Sequence, residues 1–144
     1  MIDEFSGDYR FLSNFWELDI PLVVDGLVFD SVEAAYQAMK TLDPIAQGKF
    51  QELTPSEAKK FGRTVDLRED WEEVKIGIMT DLARMKFENN PHLAHLLLET
   101  YDEMLLEGNW WGDHFWGVDR KTHFGENHLG RILMQIRGEL RNTP

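Results

Sequence analysis

The sequence predicts a helix-rich domain carrying one small β-hairpin. Three observations predict it. Apolar residues recur at helical spacing along several stretches, an Asp-Gly pair lies between two β-branched runs, and no linker, repeat or low-complexity tract interrupts the chain. At 144 residues the chain is most simply one domain, 1–144, long enough to bury a full core.

The elements follow in order. Residues 5–16 are aromatic and turn-rich, with Phe11, Phe15 and Trp16 expected in the core or a pocket wall and Ser13-Asn14 suited to a tight turn. Arg10 in this segment is either an anion clamp or a solvated arginine. Residues 18–29 read as a hairpin turning at Asp25-Gly26. The hairpin delivers the chain into Asp30–Lys40, an amphipathic helix. There Val32, Ala35, Tyr36 and Met39 form a buried stripe. Glu33, Gln37 and Lys40 form an adjacent one: an acid, an amide and a base in line. Glu33 and Lys40 lie about 10 Å apart along such a helix, so the two charges could grip separate parts of one nucleotide-sized molecule. A structural role competes with this: with Asp30 as N-cap, Glu33 at N3 would complete a capping box and suit the helix dipole.

Thr54-Pro55-Ser56-Glu57 is a capping box with Pro at N1, opening a short helix that Gly62 ends. Lys59, Lys60 and Arg63 near that end suit the dipole and form a local basic exception. The longest helix runs from about Asp70 to Glu88, with Trp71, Val74, Ile78, Leu82 and Met85 on one face. Trp71 reads first as core, although a ring in the first turn can also reach past it. Asn90-Pro91 starts a helix over about 91–101, Met104–Glu107 is strand-like, and a last helix spans about 127–140. Gly108–Asp119 between them holds three Trp, three Gly and two Asp without period, so it is either a core plug or a pocket wall.

Composition narrows the function. A net charge of −11 argues against a broad nucleic-acid or anionic-membrane surface but permits a small anion held by a few local cations. The lack of cysteine excludes a disulfide, a thiol nucleophile and a Cys-based zinc site. No apolar run approaches the ~20 residues of a membrane helix, and Met1-Ile2-Asp3-Glu4 lacks a signal-peptide pattern, so a soluble cytoplasmic protein is expected. Walker A, G-x-G-x-x-G and G-x-S-x-G patterns are missing, and His114, His123 and His128 match no zinc spacing. No metal and no cofactor are expected. Carboxylates, aromatic rings and a few cations remain, which suit a heteroaromatic ring joined to a phosphorylated sugar.

The order and spacing of several stretches resemble the NADAR family, the YbiA-like proteins, over about residues 5–140. These are Phe11-Leu12-Ser13-Asn14-Phe15, Ser31-Val32-Glu33 through Gln37-Ala38-Met39-Lys40, and Ala58 through Gly62-Arg63. Leu67-Arg68 with Asp70-Trp71 and Lys75, Lys86-Phe87, Trp111-Gly112-Asp113 and Asn127-His128-Leu129-Gly130 follow. The resemblance implies a compact, helix-rich α+β fold and hydrolysis of N-glycosidic bonds to ribose. The substrate would be a phosphoribosylamino-pyrimidine intermediate of riboflavin synthesis or ADP-ribosylated guanine in nucleic acid. It carries the catalytic glutamate over to Glu33 and the site tryptophans to Trp71 and Trp111. Asp113 follows from the same Trp-Gly-Asp segment, which continues into His114-Phe115-Trp116-Gly117 and there looks closer to branches other than the riboflavin-pathway type. In this reading Glu33 stabilises the oxocarbenium and takes a proton from water, and Asp113 is the candidate acid. Trp71 and Trp111 stack the ring, Arg10, Lys40 and Arg63 are candidates for phosphate, and Asn14 and Asn127 for ribose hydroxyls or the water. The partner is a small ribosyl or nucleotide substrate, and the oligomeric state is open. The alternative is a module that binds ADP-ribose or NAD without turnover.

Overall fold

The computed structural model describes residues 1–143. Its helices and short sheets give a helix-rich α+β fold, as the sequence predicts. The chain divides into two units, Asn14–Asn90 and Met1–Ser13 with the chain from Pro91 onward.

In the unit Asn14–Asn90, strands β1 (Leu22–Val24) and β2 (Leu27–Phe29) pair antiparallel, Leu22 opposite Phe29. Asp25 and Gly26 both take left-handed φ, 51° and 82°. A tight turn of the kind that matches strand twist requires this, and Asp-Gly accepts it at little cost. Leu22 and Phe29 point inward and are fully buried, whereas Val23 and Val28 face out. Helix α1 (Val32–Ala38) follows directly and is enclosed on every side: all seven of its residues are buried. Against it pack both hairpin strands, α2 (Pro44–Lys49), the 3-10 turn Phe50–Glu52, α3 (Pro55–Phe61) and α4 (Trp71–Asn89).

Local chemistry sets these boundaries. Thr54 and Glu57 form both bonds of the expected capping box. At α1 the expected box is replaced. Ser31, not Asp30, is the N-cap, its Oγ accepting from the Ala34 N–H at 3.1 Å. Glu33 is therefore the second residue of the helix and its side chain is turned to another partner. Helix α1 also ends at Ala38, so Lys40 lies just beyond it. The buried face of α4 is rotated from the expected one: Met79, Ala83, Lys86 and Phe87 join Trp71 and Leu82, while Val74, Ile78 and Met85 are half-buried. Phe15, expected in the core or a pocket wall, is exposed, with the Lys59 ammonium 6.0 Å from its ring centre.

The other unit opens with a 3-10 helix, Gly7–Leu12, and continues with α5 (Pro91–Leu98) and α6 (His128–Arg141). Arg137 of α6 is buried and donates to Thr100 Oγ1 at 2.8 Å and to the Glu103 carbonyl at 2.9 Å, tying α6 to the chain after α5. The strand expected over Met104–Glu107 is displaced. Leu105 makes only an isolated bridge with Ile2, and the sheet is β3 (Gly108–Asn109) parallel to β4 (Val118–Asp119). Among the described residues no helix is long and apolar enough to cross a membrane.

Candidate functional site

Among the described residues, Glu33 on helix α1 is the one buried glutamate. Glu33 is 7% exposed, and a carboxylate that deep needs donors. Gln37, one turn on and itself buried, donates from Nε2 to Glu33 Oε1 at 2.9 Å. The Glu33 backbone N–H donates to the Asn14 carbonyl at 3.0 Å, which fixes the start of the helix against the segment before the hairpin. The Asn14 side chain reaches Met79 Sδ at 3.5 Å on α4. These contacts aim Glu33 from the first turn of α1, where the helix dipole favours negative charge.

Aromatic and cationic groups adjoin it. Trp71 is buried in the first turn of α4, its ring 5.2 Å from that of Tyr36 and tilted by 53°. The Lys40 ammonium lies 5.7 Å from the Tyr36 ring centre, and the Lys40 carbonyl accepts from the Arg68 N–H at 2.8 Å. Burial lowers the pKa of Lys40. Attraction to Glu33 works against that, and repulsion from Arg63, Lys59 and Lys75 adds to the lowering. Lys40 thus shares an electrostatic environment with one carboxylate and three further cations, in a chain that is acidic overall. A group of this sign favours a bound anion such as phosphate. Of the residues expected from the sequence, the structure places Glu33, Asn14, Lys40, Arg63 and Trp71 in this unit.

The remaining four belong to the other unit. Arg10 is exposed on the 3-10 helix. Trp111 is 64% exposed on the loop between β3 and β4, beside Trp110 at 67%, so this loop is not the core plug that its composition permits. Asp113 organises the loop. Its Oδ1 accepts from the N–H groups of Phe115 at 3.1 Å and Trp116 at 2.9 Å, and its own N–H donates to Asn109 Oδ1 at 3.0 Å. Asn127 is buried at the N-terminus of α6 with its amide spent on the frame: Oδ1 accepts from the Glu107 N–H at 3.0 Å and Nδ2 donates to the Leu105 carbonyl at 2.9 Å.

Lys86 was not singled out as a functional residue by sequence reasoning. Its side chain is fully buried on α4, and desolvation pushes its pKa down to about 7. Its spacing from Met79 and Leu82, seven and four residues, was the available signal. Among the described residues no three His, Asp or Glu side chains gather to hold a metal.

Fold and site together define a small α+β domain built around a helix-borne, core glutamate. The family model described as the NADAR domain matches residues 3–141, and the chain belongs to that family. The N-glycosidase YbiA of Escherichia coli strain K12 is 36% identical over 140 residues, covering 94% of this chain and 84% of that protein. The chloroplastic riboflavin biosynthesis protein PYRR of Zea mays is 38% identical over 132 residues. That match takes in 83% of this chain but only 21% of the maize protein, so the chain spans about a fifth of that relative. The solved NMR structure of E. coli YbiA superposes with a TM-score of 0.81 at 35% identity, over 98% of this chain and 87% of that one. By family the protein is an enzyme, an N-glycosyl hydrolase.

Proposed function

We propose that the protein hydrolyses the bond between C1′ of a phosphorylated ribose and the nitrogen of a heterocyclic base. The substrate is a phosphoribosylamino-pyrimidine or ADP-ribosylated guanine. The observation that carries this reading is the buried Glu33 carboxylate, held by Gln37 and grouped with Trp71, Tyr36 and the cations Lys40 and Arg63.

As the C1′–N bond breaks, positive charge develops on the ribose ring. Glu33 stabilises it and accepts a proton from the water that bonds to C1′. The departing nitrogen gains a proton, and a second carboxylate supplies it in the two-carboxylate logic of glycoside hydrolysis. The family resemblance points to Asp113 for this, through Oδ2, because Oδ1 is committed to two backbone N–H groups. Trp71 and Trp111 offer ring faces for the base, and Lys40, Arg63 and Arg10 offer positive charge for phosphate. Asn14 approaches the ribose or water beside Glu33, whereas the bonds of Asn127 favour a framework role. The name of the maize relative supports the pyrimidine substrate, while the His114–Gly117 continuation of the loop supports the guanine one.

The test is release of ribose 5-phosphate or ADP-ribose, followed by mass spectrometry, from each substrate with wild type and Glu33→Gln. Release by wild type alone is expected, and the substrate that reacts identifies the branch. Equal release by both proteins removes Glu33 from the mechanism. Binding of ADP-ribose with no release identifies a module without turnover.

A further inference from the structure

Gln37 is an unusual residue to enclose. It is 4% exposed, and its Oε1 is buried with no hydrogen-bond partner. Only its amide N–H is used, on Glu33 Oε1 at 2.9 Å. Turned the other way, the amide would set oxygen against a carboxylate oxygen, so the observed orientation is the one that suits an ionised Glu33, at the expense of an unsatisfied acceptor.

Gly62 makes room for that orientation. A Cβ at Gly62 would come within 2.0 Å of Gln37 Oε1 and 2.8 Å of its Cδ. The backbone there is ordinary right-handed helix, with φ at −59°, so conformation does not require glycine. The space taken by the Gln37 amide does. A leucine or methionine at position 37 would bury as well without an orphaned oxygen, so core packing alone does not account for the pair.

We propose that Gln37 is a positioning residue, whose amide N–H holds the Glu33 carboxylate ionised and fixed in direction for the attacking water, and that Gly62 keeps open the space this amide occupies. The inference rests on Glu33 acting as the base proposed above.

The experiment uses two single variants, each read in two ways. Gln37→Met keeps the side chain's length and removes both the donor and the orphaned acceptor. Gly62→Ala leaves Gln37 in place and displaces its amide. The first readout needs no substrate: the carboxyl carbon of Glu33 is titrated by NMR in protein labelled at glutamate. Loss of the donor should move this titration upward by about one pH unit in Gln37→Met, and in the same direction in Gly62→Ala. The second readout is turnover of whichever of the two substrates wild type hydrolyses. For Gln37→Met, kcat should fall at least tenfold with KM little changed, and the acid limb of the pH profile should rise with the titration. A purely structural Gln37 would instead leave both the Glu33 titration and the pH profile in place. An unmoved Glu33 titration with unchanged kcat in Gln37→Met overturns the proposal, and an unmoved titration in Gly62→Ala overturns the role of the glycine. If wild type hydrolyses neither substrate but the titration moves, the hold on Glu33 stands and the substrates proposed above are wrong.

Discussion

Replacing Lys86 by methionine should make stability less dependent on pH, and the structure sets the size of the effect. Lys86 is fully buried, and desolvation lowers its pKa from the usual 10.5 to about 7 in the folded chain. Between these values the unfolded chain holds a proton that the folded chain has released, so wild-type stability rises as pH rises from 7 toward 10.5. Below pH 7 both states are protonated and the full penalty of burying the ammonium applies. Above 10.5 both are neutral and it vanishes. At 1.36 kcal/mol per pH unit the window corresponds to a ceiling of about 5 kcal/mol, reduced by whatever water reaches the site. Methionine fits a similar volume without charge. The packing it gains or loses, including the contact between the Lys86 ammonium and the Phe87 ring, enters as an offset. The informative quantity is therefore the change with pH in the stability difference between the two proteins. Urea denaturation at intervals from pH 6 to 10 measures it, and the titrations of all other groups cancel to first order. The advantage of Lys86→Met over wild type should be several kcal/mol larger at pH 6 than at pH 10. A stability difference constant across that range would refute the argument, because it would mean that Lys86 keeps its proton in the folded protein.

Two further substitutions test the frame around the site. Ser31→Ala removes the N-cap of α1 and leaves the Ala34 N–H without its partner in a buried setting, so it should cost about 1–2 kcal/mol by denaturant titration, with activity falling alongside because Glu33 sits in that first turn. Asn127→Ala leaves the Glu107 N–H and the Leu105 carbonyl unmatched and puts alanine at a φ of 55°, so it should cost about 3 kcal/mol or more; a loss below about 1 kcal/mol would show that these bonds do not hold the unit.

The parts of the fold that could be read from sequence are those governed by neighbours along the chain. Asp25-Gly26 specifies its turn because both residues accept left-handed φ, and Thr54–Glu57 specifies a helix start because both partners lie within four residues. Periodicity served less well where an element has no solvent face. It assumes a wet side and a dry side, and α1 has only the dry one, so the spacing of Glu33 and Gln37 does not reveal that their stripe is itself buried. The same assumption rotated the face of α4, since a lysine is ordinarily scored as outward and Lys86 faces in. The strand expected at Met104–Glu107 failed for a different reason. Leu105 pairs with Ile2, more than a hundred residues away in sequence, and no local pattern encodes that partner. These failures concentrate on polar groups in the core. A glutamate, a glutamine with an unsatisfied oxygen and a lysine each weaken a hydrophobic interior, and sequence rules built on burial place all three outside it. That conflict between local rule and observed position is expected where a fold gives up stability to hold reactive groups, and in the unit Asn14–Asn90 all three lie on α1 and the helix packed against it.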